Sequence, residues 1–115
     1  MSIGLKIDLH RIEDKVVLRL DGRLDAATSS NLEKKLSSLL KEGHIHLLLD
    51  FSKVDYLSSA GLRLLLSMMK RVAKEKGSFI LFSIGEDVME IIKLAGFEKI
   101  LKITSSEQQA LQMRT

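Results

Sequence analysis

Two adjacent hydroxyls, Ser58 and Ser59, stand just before Ala60-Gly61-Leu62, between the aliphatic run Leu47-Leu48-Leu49 and a second one led by Leu62 and Leu65. A serine in such a place can attack, can cap a helix, or can receive a phosphate. Attack requires a base within hydrogen-bond reach. The histidines are His10, His44 and His46, and the last two precede the aliphatic run, so they belong at the opposite end of the strand it implies. The glycines form neither a phosphate-binding loop of the Walker type nor a dinucleotide fingerprint. Asp50 and Asp55 suggest a phospho-receiver, but no strand closes on the adjacent acidic residues that such a site needs. The residues therefore argue against catalysis and leave a serine that caps a helix or is itself modified.

The surrounding pattern places these hydroxyls. Leu5 to Leu9 alternates as a half-buried strand, Lys15 to Leu20 reads as a second, and Glu13-Asp14 between them suits a hairpin turn. Asp21 to Asp25 forms a break. Leu32, Leu36, Leu39 and Leu40 then share one helical face, with Thr28, Ser29 and Ser30 near the start and Gly43 at the end. His46 to Phe51 fits a strand covered on both faces. Leu62, Leu65, Leu66, Met69 and Val72 recur at helical spacing up to Gly77. Ser78 to Ser83 is a buried strand, Glu86 to Ala95 a short helix closed by Gly96, and Lys99 to Ile103 a last strand. Ser105 to Met113 opens with a Ser-x-x-Gln capping pattern into a terminal helix.

The expected order is β-β-α-β-α-β-α-β-α, an α/β fold whose mixed sheet has a parallel centre and an antiparallel N-terminal edge hairpin. In such sheets function gathers where parallel strands end and helices begin. Two polar segments fall on that edge, Gly22 to Asp25 and Asp55 to Gly61, both expected as loops. A helix start favours negative charge, so the fold would tolerate a phosphate on the serine there. Gly61 beside it either leaves room for another protein or lets helix pack closely on strand.

Bulk properties narrow the classes further. At 115 residues, 45% hydrophobic and 29% charged, the chain is expected to be one globular domain over 1–115. Aromatic residues are 4%, too few for a stacking platform on single-stranded nucleic acid. The net charge of +3 is spread along the chain, and its densest run, Lys70 to Lys76, complements a helix C-terminus, so no direct nucleic-acid partner is expected. Cysteine is absent and the histidines lack a ligand spacing, so no metal and no cofactor is expected. The first residues lack a basic region followed by an apolar run, so no signal peptide is expected, and no apolar stretch reaches membrane length. A cytoplasmic protein with no membrane partner is the expectation.

The run LLLDFSKVDYLSSAGL, Leu47 to Leu62, resembles the signature of bacterial anti-sigma factor antagonists, the founding members of the STAS domain family. The likeness continues in Leu20 to Asp25, Phe79-Ile80-Leu81 and Leu94 to Phe97. In that family the phosphoacceptor is the serine two residues before the glycine, which here is Ser59. Ser58 then stands where an aspartate is usual, and Ala60 where a serine or threonine is usual. Asp25 matches the aspartate of the family's first loop. The resemblance implies that Asp25, Thr28, Ser58, Ala60, Gly61 and Arg63 face a partner. It also implies a switch: an anti-sigma factor serine kinase with a histidine-kinase-like ATPase fold binds the unphosphorylated protein and frees its sigma factor. Phosphorylation of Ser59 ends binding, and a PP2C-type phosphatase resets it. Two other expectations stay open, an adaptor in a signalling pathway without a sigma factor and a sensor of nucleotides or other small ligands.

Overall fold

A computed structural model describes residues 4–113; residues 1–3 and 114–115, the ends of the expected 1–115 domain, lie outside the described residues. Its elements are β1 (Leu5–Ile12), β2 (Lys15–Leu24), α1 (Ala26–Lys41), β3 (His46–Leu57), α2 (Ser59–Lys74), β4 (Ser78–Phe82), α3 (Glu86–Leu94), β5 (Lys102–Thr104) and α4 (Glu107–Gln112). The order of types is the one that hydrophobic period implies.

One five-stranded sheet holds them, in the order β1-β2-β3-β4-β5. β1 runs antiparallel to β2, with Ile12 opposite Lys15, which leaves Glu13-Asp14 as the turn. Glu13 has φ 58°, the left-handed backbone that tight hairpin turns demand. The other three pairings are parallel. Successive right-handed crossovers stepping in one direction must put their helices on one face. The core agrees: Leu32 and Leu36 of α1, Leu65 and Met68 of α2, and Val88 and Ile92 of α3 share one cluster with Leu18, Leu49 and Leu81. α4 returns to the other face, where Ala110 meets Val17, Leu48, Ile80 and Phe82. Arg19 anchors it there, donating two hydrogen bonds to Glu107 at 2.8 and 3.2 Å and one to Asp50 at 3.0 Å.

Several boundaries differ from expectation. β2 continues to Leu24 and β3 to Leu57, so of the two segments expected as loops, 22–25 is mostly strand, while 55–61 divides between the end of β3, the cap Ser58 and the first turn of α2. The register shifts between Arg19 and Asp21 and again between Gly22 and Arg23, so buried residues in this part of β3 fall every third position (Phe51, Val54, Leu57) instead of every second. Such irregularity disguises a strand as a loop. Gly22, at φ 129°, carries the bend, and a Cβ there would meet the carbonyl oxygen of Gly4. The last strand is Lys102–Thr104, not Lys99–Ile103, because residues 97–101 close a turn in which Ile100 and Leu101 donate to the Phe97 carbonyl at 3.1 Å. The terminal helix begins after Ser106, whose hydroxyl accepts from the Gln109 N–H, not at Ser105.

Candidate functional site

The β2 and β3 ends lie side by side, with Leu24 opposite Leu57, and each strand passes into its helix through a single capping residue. Those residues are Asp25 and Ser58. The Ser58 N–H donates to the Leu24 carbonyl at 2.9 Å, which ties the start of α2 to the end of β2. Asp25 and the two serines therefore share one edge of the sheet, as the sequence pattern implies.

At α2 the Ser58 hydroxyl accepts from the Gly61 N–H at 3.1 Å, and the Leu62 N–H donates to the Ser58 carbonyl at 2.9 Å. The neutral hydroxyl thus fills the capping role that an aspartate could also fill. Ser59 is the first residue of the helix and is exposed, while Ser58 and Ala60 are half-buried. No acidic residue lies in the first turn of α2, and its last turn carries Arg71 and Lys74, so the helix dipole leaves its start attractive to anions. Arg63 is exposed one turn beyond Ser59.

Gly61 is buried, and its role is close packing. A Cβ there would lie 2.9 Å from the Leu24 side chain, from the Leu24 carbonyl oxygen and from the Leu57 side chain. The missing side chain lets α2 sit directly on the β2–β3 ends, and that contact fixes where Ser59 stands.

At α1 the cap is reciprocal. The Thr28 N–H donates to Asp25 Oδ1 at 3.0 Å, and the Asp25 N–H donates to Thr28 Oγ1 at 2.9 Å. Thr28 Oγ1 itself donates to the Arg23 carbonyl at 2.7 Å. The Thr28 N–H, more than any other group, holds the Asp25 carboxyl below the usual carboxylate range, and Arg23 adds to it. Thr28, expected at a partner surface, is 7% exposed, so its reach is inward, towards Asp25.

Two residues not singled out from the sequence as site candidates complete the edge. The Arg23 guanidinium lies 4.1 Å above the Tyr56 ring, and its Nε is 3.7 Å from Asp25 Oδ2. Such a stack contributes about 0.5–1 kcal/mol at an exposed site. Arg23 and Tyr56 are partners in the β2–β3 register, and only that register, which the bulges hide, makes them neighbours.

The histidines keep to the other end of β3: His46 Nδ1 is 2.9 Å from Ser78 Oγ, and its Nε2 is 3.8 Å from Asp14. Asp50 is engaged by Arg19 and accepts from the Ser52 N–H at 2.9 Å. Among the described residues no group of three or more His, Asp or Glu could hold a metal ion, and no helix is long and apolar enough to cross a membrane.

Known proteins are similar to this chain in sequence and fold. The anti-sigma-B factor antagonist of Bacillus subtilis is 24% identical over 110 residues, 96% of this chain and 100% of the relative. BtrV of Bordetella bronchiseptica is 28% identical over 106 residues, 92% of this chain and 91% of its own. The Bacillus cell fate determinant SpoIIAA, solved in its phosphorylated form, superposes with a TM-score of 0.71 at 21% identity, over 92% of this chain and 96% of its own. The STAS domain family matches residues 6–110. With that match spanning nearly all its elements, the chain belongs to the STAS domain family.

Proposed function

We propose that the chain is an anti-sigma factor antagonist controlled by phosphorylation of Ser59. In its unphosphorylated form it binds an anti-sigma factor that is also a serine kinase, and the bound sigma factor is released. The kinase transfers the γ-phosphoryl group of ATP to Ser59 Oγ, leaving ADP, and the complex ends. A PP2C-type phosphatase hydrolyses the phosphoserine and restores the first state. In this scheme the chain is ligand and substrate rather than enzyme. Asp25, Ser58, Ala60 and Arg63 border the docking surface, while Thr28 and Gly61 hold its parts in place.

The observation that carries this reading is the position of Ser59, exposed as the first residue of α2 and on the same edge as Asp25. A phosphate adds about −1.5 to −2 charges, which a helix start accommodates. The same charge trapped without a partner in a desolvated interface costs several kcal/mol. Binding then weakens by orders of magnitude, since every 1.4 kcal/mol is tenfold. Fold and interface thus respond to the modification with opposite sign.

The test uses the full chain with its cognate kinase and ATP, the phosphate being mapped by mass spectrometry. Label on Ser59, absence of label in Ser59→Ala, and loss of kinase binding in Ser59→Asp are expected. Phosphate elsewhere, or a Ser59→Asp chain that binds as well as the parent, rules the switch out.

A further inference from the structure

Beyond the last β3–β4 pair, Asp50 with Phe82, β3 runs on to Leu57 paired with β2 alone. The β2–β3 ends therefore project past the centre of the sheet as a narrow ribbon. One face of the ribbon carries α2, against Leu24 and Leu57. Side chains of successive strand residues alternate, so Arg23 and Tyr56 turn to the opposite face. The core that α4 covers on that side consists of Val17, Leu48, Ile80 and Phe82, all short of the ribbon. Tyr56, the single tyrosine of the chain, is 38% exposed there under the Arg23 guanidinium.

We infer that the Arg23–Tyr56 stack is a second anchor of the surface that docks the kinase partner, and that this surface wraps over the ribbon tip from Ser59 to the face opposite α2. This rests on the proposed function and adds the residues that fix the partner's position. Tyrosine and arginine are, with tryptophan, the side chains enriched among those that dominate binding: a rigid ring supplies contact area, and a planar guanidinium donates in a pre-formed fork. Here they are already stacked. The 3.7 Å separation of Arg23 from Asp25 joins the stack to the phosphoacceptor edge without occupying the rest of the guanidinium's donor fork. The segment that fits is one offering a carboxylate to Arg23 and an apolar or planar group to the free area of the Tyr56 ring. Both residues would be buried only in the complex, so their role is in binding rather than in folding.

The experiment measures Kd of the full chain for the kinase shown to label Ser59, by calorimetry, for the parent, Tyr56→Ala, Tyr56→Phe, Arg23→Ala and Arg23→Lys. Thermal unfolding of each variant is followed in parallel. Tyr56→Ala and Arg23→Ala should each weaken binding about thirtyfold or more, as truncated anchors do. Tyr56→Phe should bind within about threefold of the parent, and Arg23→Lys should fall between, because an ammonium group cannot lie flat on a ring or bond bidentately. The same two alanine variants should raise KM for Ser59 phosphorylation more than they lower kcat. If Tyr56→Ala fails to fold, the Arg23 pair decides. Both alanine variants binding within twofold of a parent that does bind overturns the anchor and leaves the switch intact. A parent that does not bind overturns both. A dimer of the free chain that Tyr56→Ala abolishes overturns the inference as well, since the stack then serves a second copy.

Discussion

The proposed switch at Ser59 is compatible with the fold because Ser58 takes the structural work. Ser58 occupies the capping position, and its hydroxyl is committed to the Gly61 N–H, so the neighbouring hydroxyl is left at the surface. This division of labour implies different consequences for two substitutions one residue apart. Ser58→Ala removes a cap and should lower stability by about 1 kcal/mol, read as a drop in urea midpoint at unchanged slope. Ser58→Asp should keep the cap and stay near the parent. Ser59→Ala should leave stability within about 0.5 kcal/mol, as exposed substitutions usually do. Which of the two serines is the cap was open in the sequence, because either residue type serves and the helix start is not marked to one position. The structure resolves it through a single hydrogen bond.

At the scale of elements, the close seating of α2 on the strand ends is what makes a helix tip into a defined surface. Gly61→Ala tests it. Alanine is the better helix former by about 1 kcal/mol, which alone would stabilise α2. The Leu24 carbonyl 2.9 Å from the new Cβ cannot yield as a flexible side chain would. Overpacking of this kind costs about 1–3 kcal/mol, so the net effect should be a lower melting temperature and weaker partner binding. Elements were legible wherever their period was regular: Leu62, Leu65 and Val72 announce α2, and Leu47 to Leu49 the centre of β3. The end of β3 was not, because Ser52-Lys53 and Asp55-Tyr56 break the alternation where the register shifts. Asp25 and the serines could be assigned to one edge from element order alone. The Arg23–Tyr56 contact could not, since it depends on a pairing that bulges have displaced.

The molecule as a whole is held by two cores of unequal size, and the smaller depends on charge. Arg19 links β2 to Asp50 of β3 and Glu107 of α4, so the face under α4 is closed by an ion network beside Ala110. Burial pushes the Asp50 carboxyl up, but the Ser52 N–H and hydroxyl and the Arg19 guanidinium outweigh it and leave the group below the usual range. Asp25 is depressed as well, first by the Thr28 N–H. A carboxyl lowered in the folded state contributes stability above its unfolded pKa of about 3.9, and loses it as pH falls through the lower folded value. Denaturant midpoints should therefore stay level around neutrality and decline below about pH 4. Asp50→Asn should be less stable than the parent at pH 7 and should show a shallower acid decline, measured by urea unfolding across pH 2.5–7, a range set by where carboxylates titrate at about pH 4. An equally steep decline in Asp50→Asn would assign the acid sensitivity to other carboxylates.

The strand order has a kinetic side. Because neighbours in the sheet are neighbours in the sequence, no strand must be threaded between two that have already paired, and assembly can grow outward from the hairpin one crossover at a time. The chain also contains no proline, so no X–Pro bond has to isomerise over tens of seconds before the native state can close. A freshly made copy thus has no slow isomerisation step of this kind to wait for once its last strand is in place.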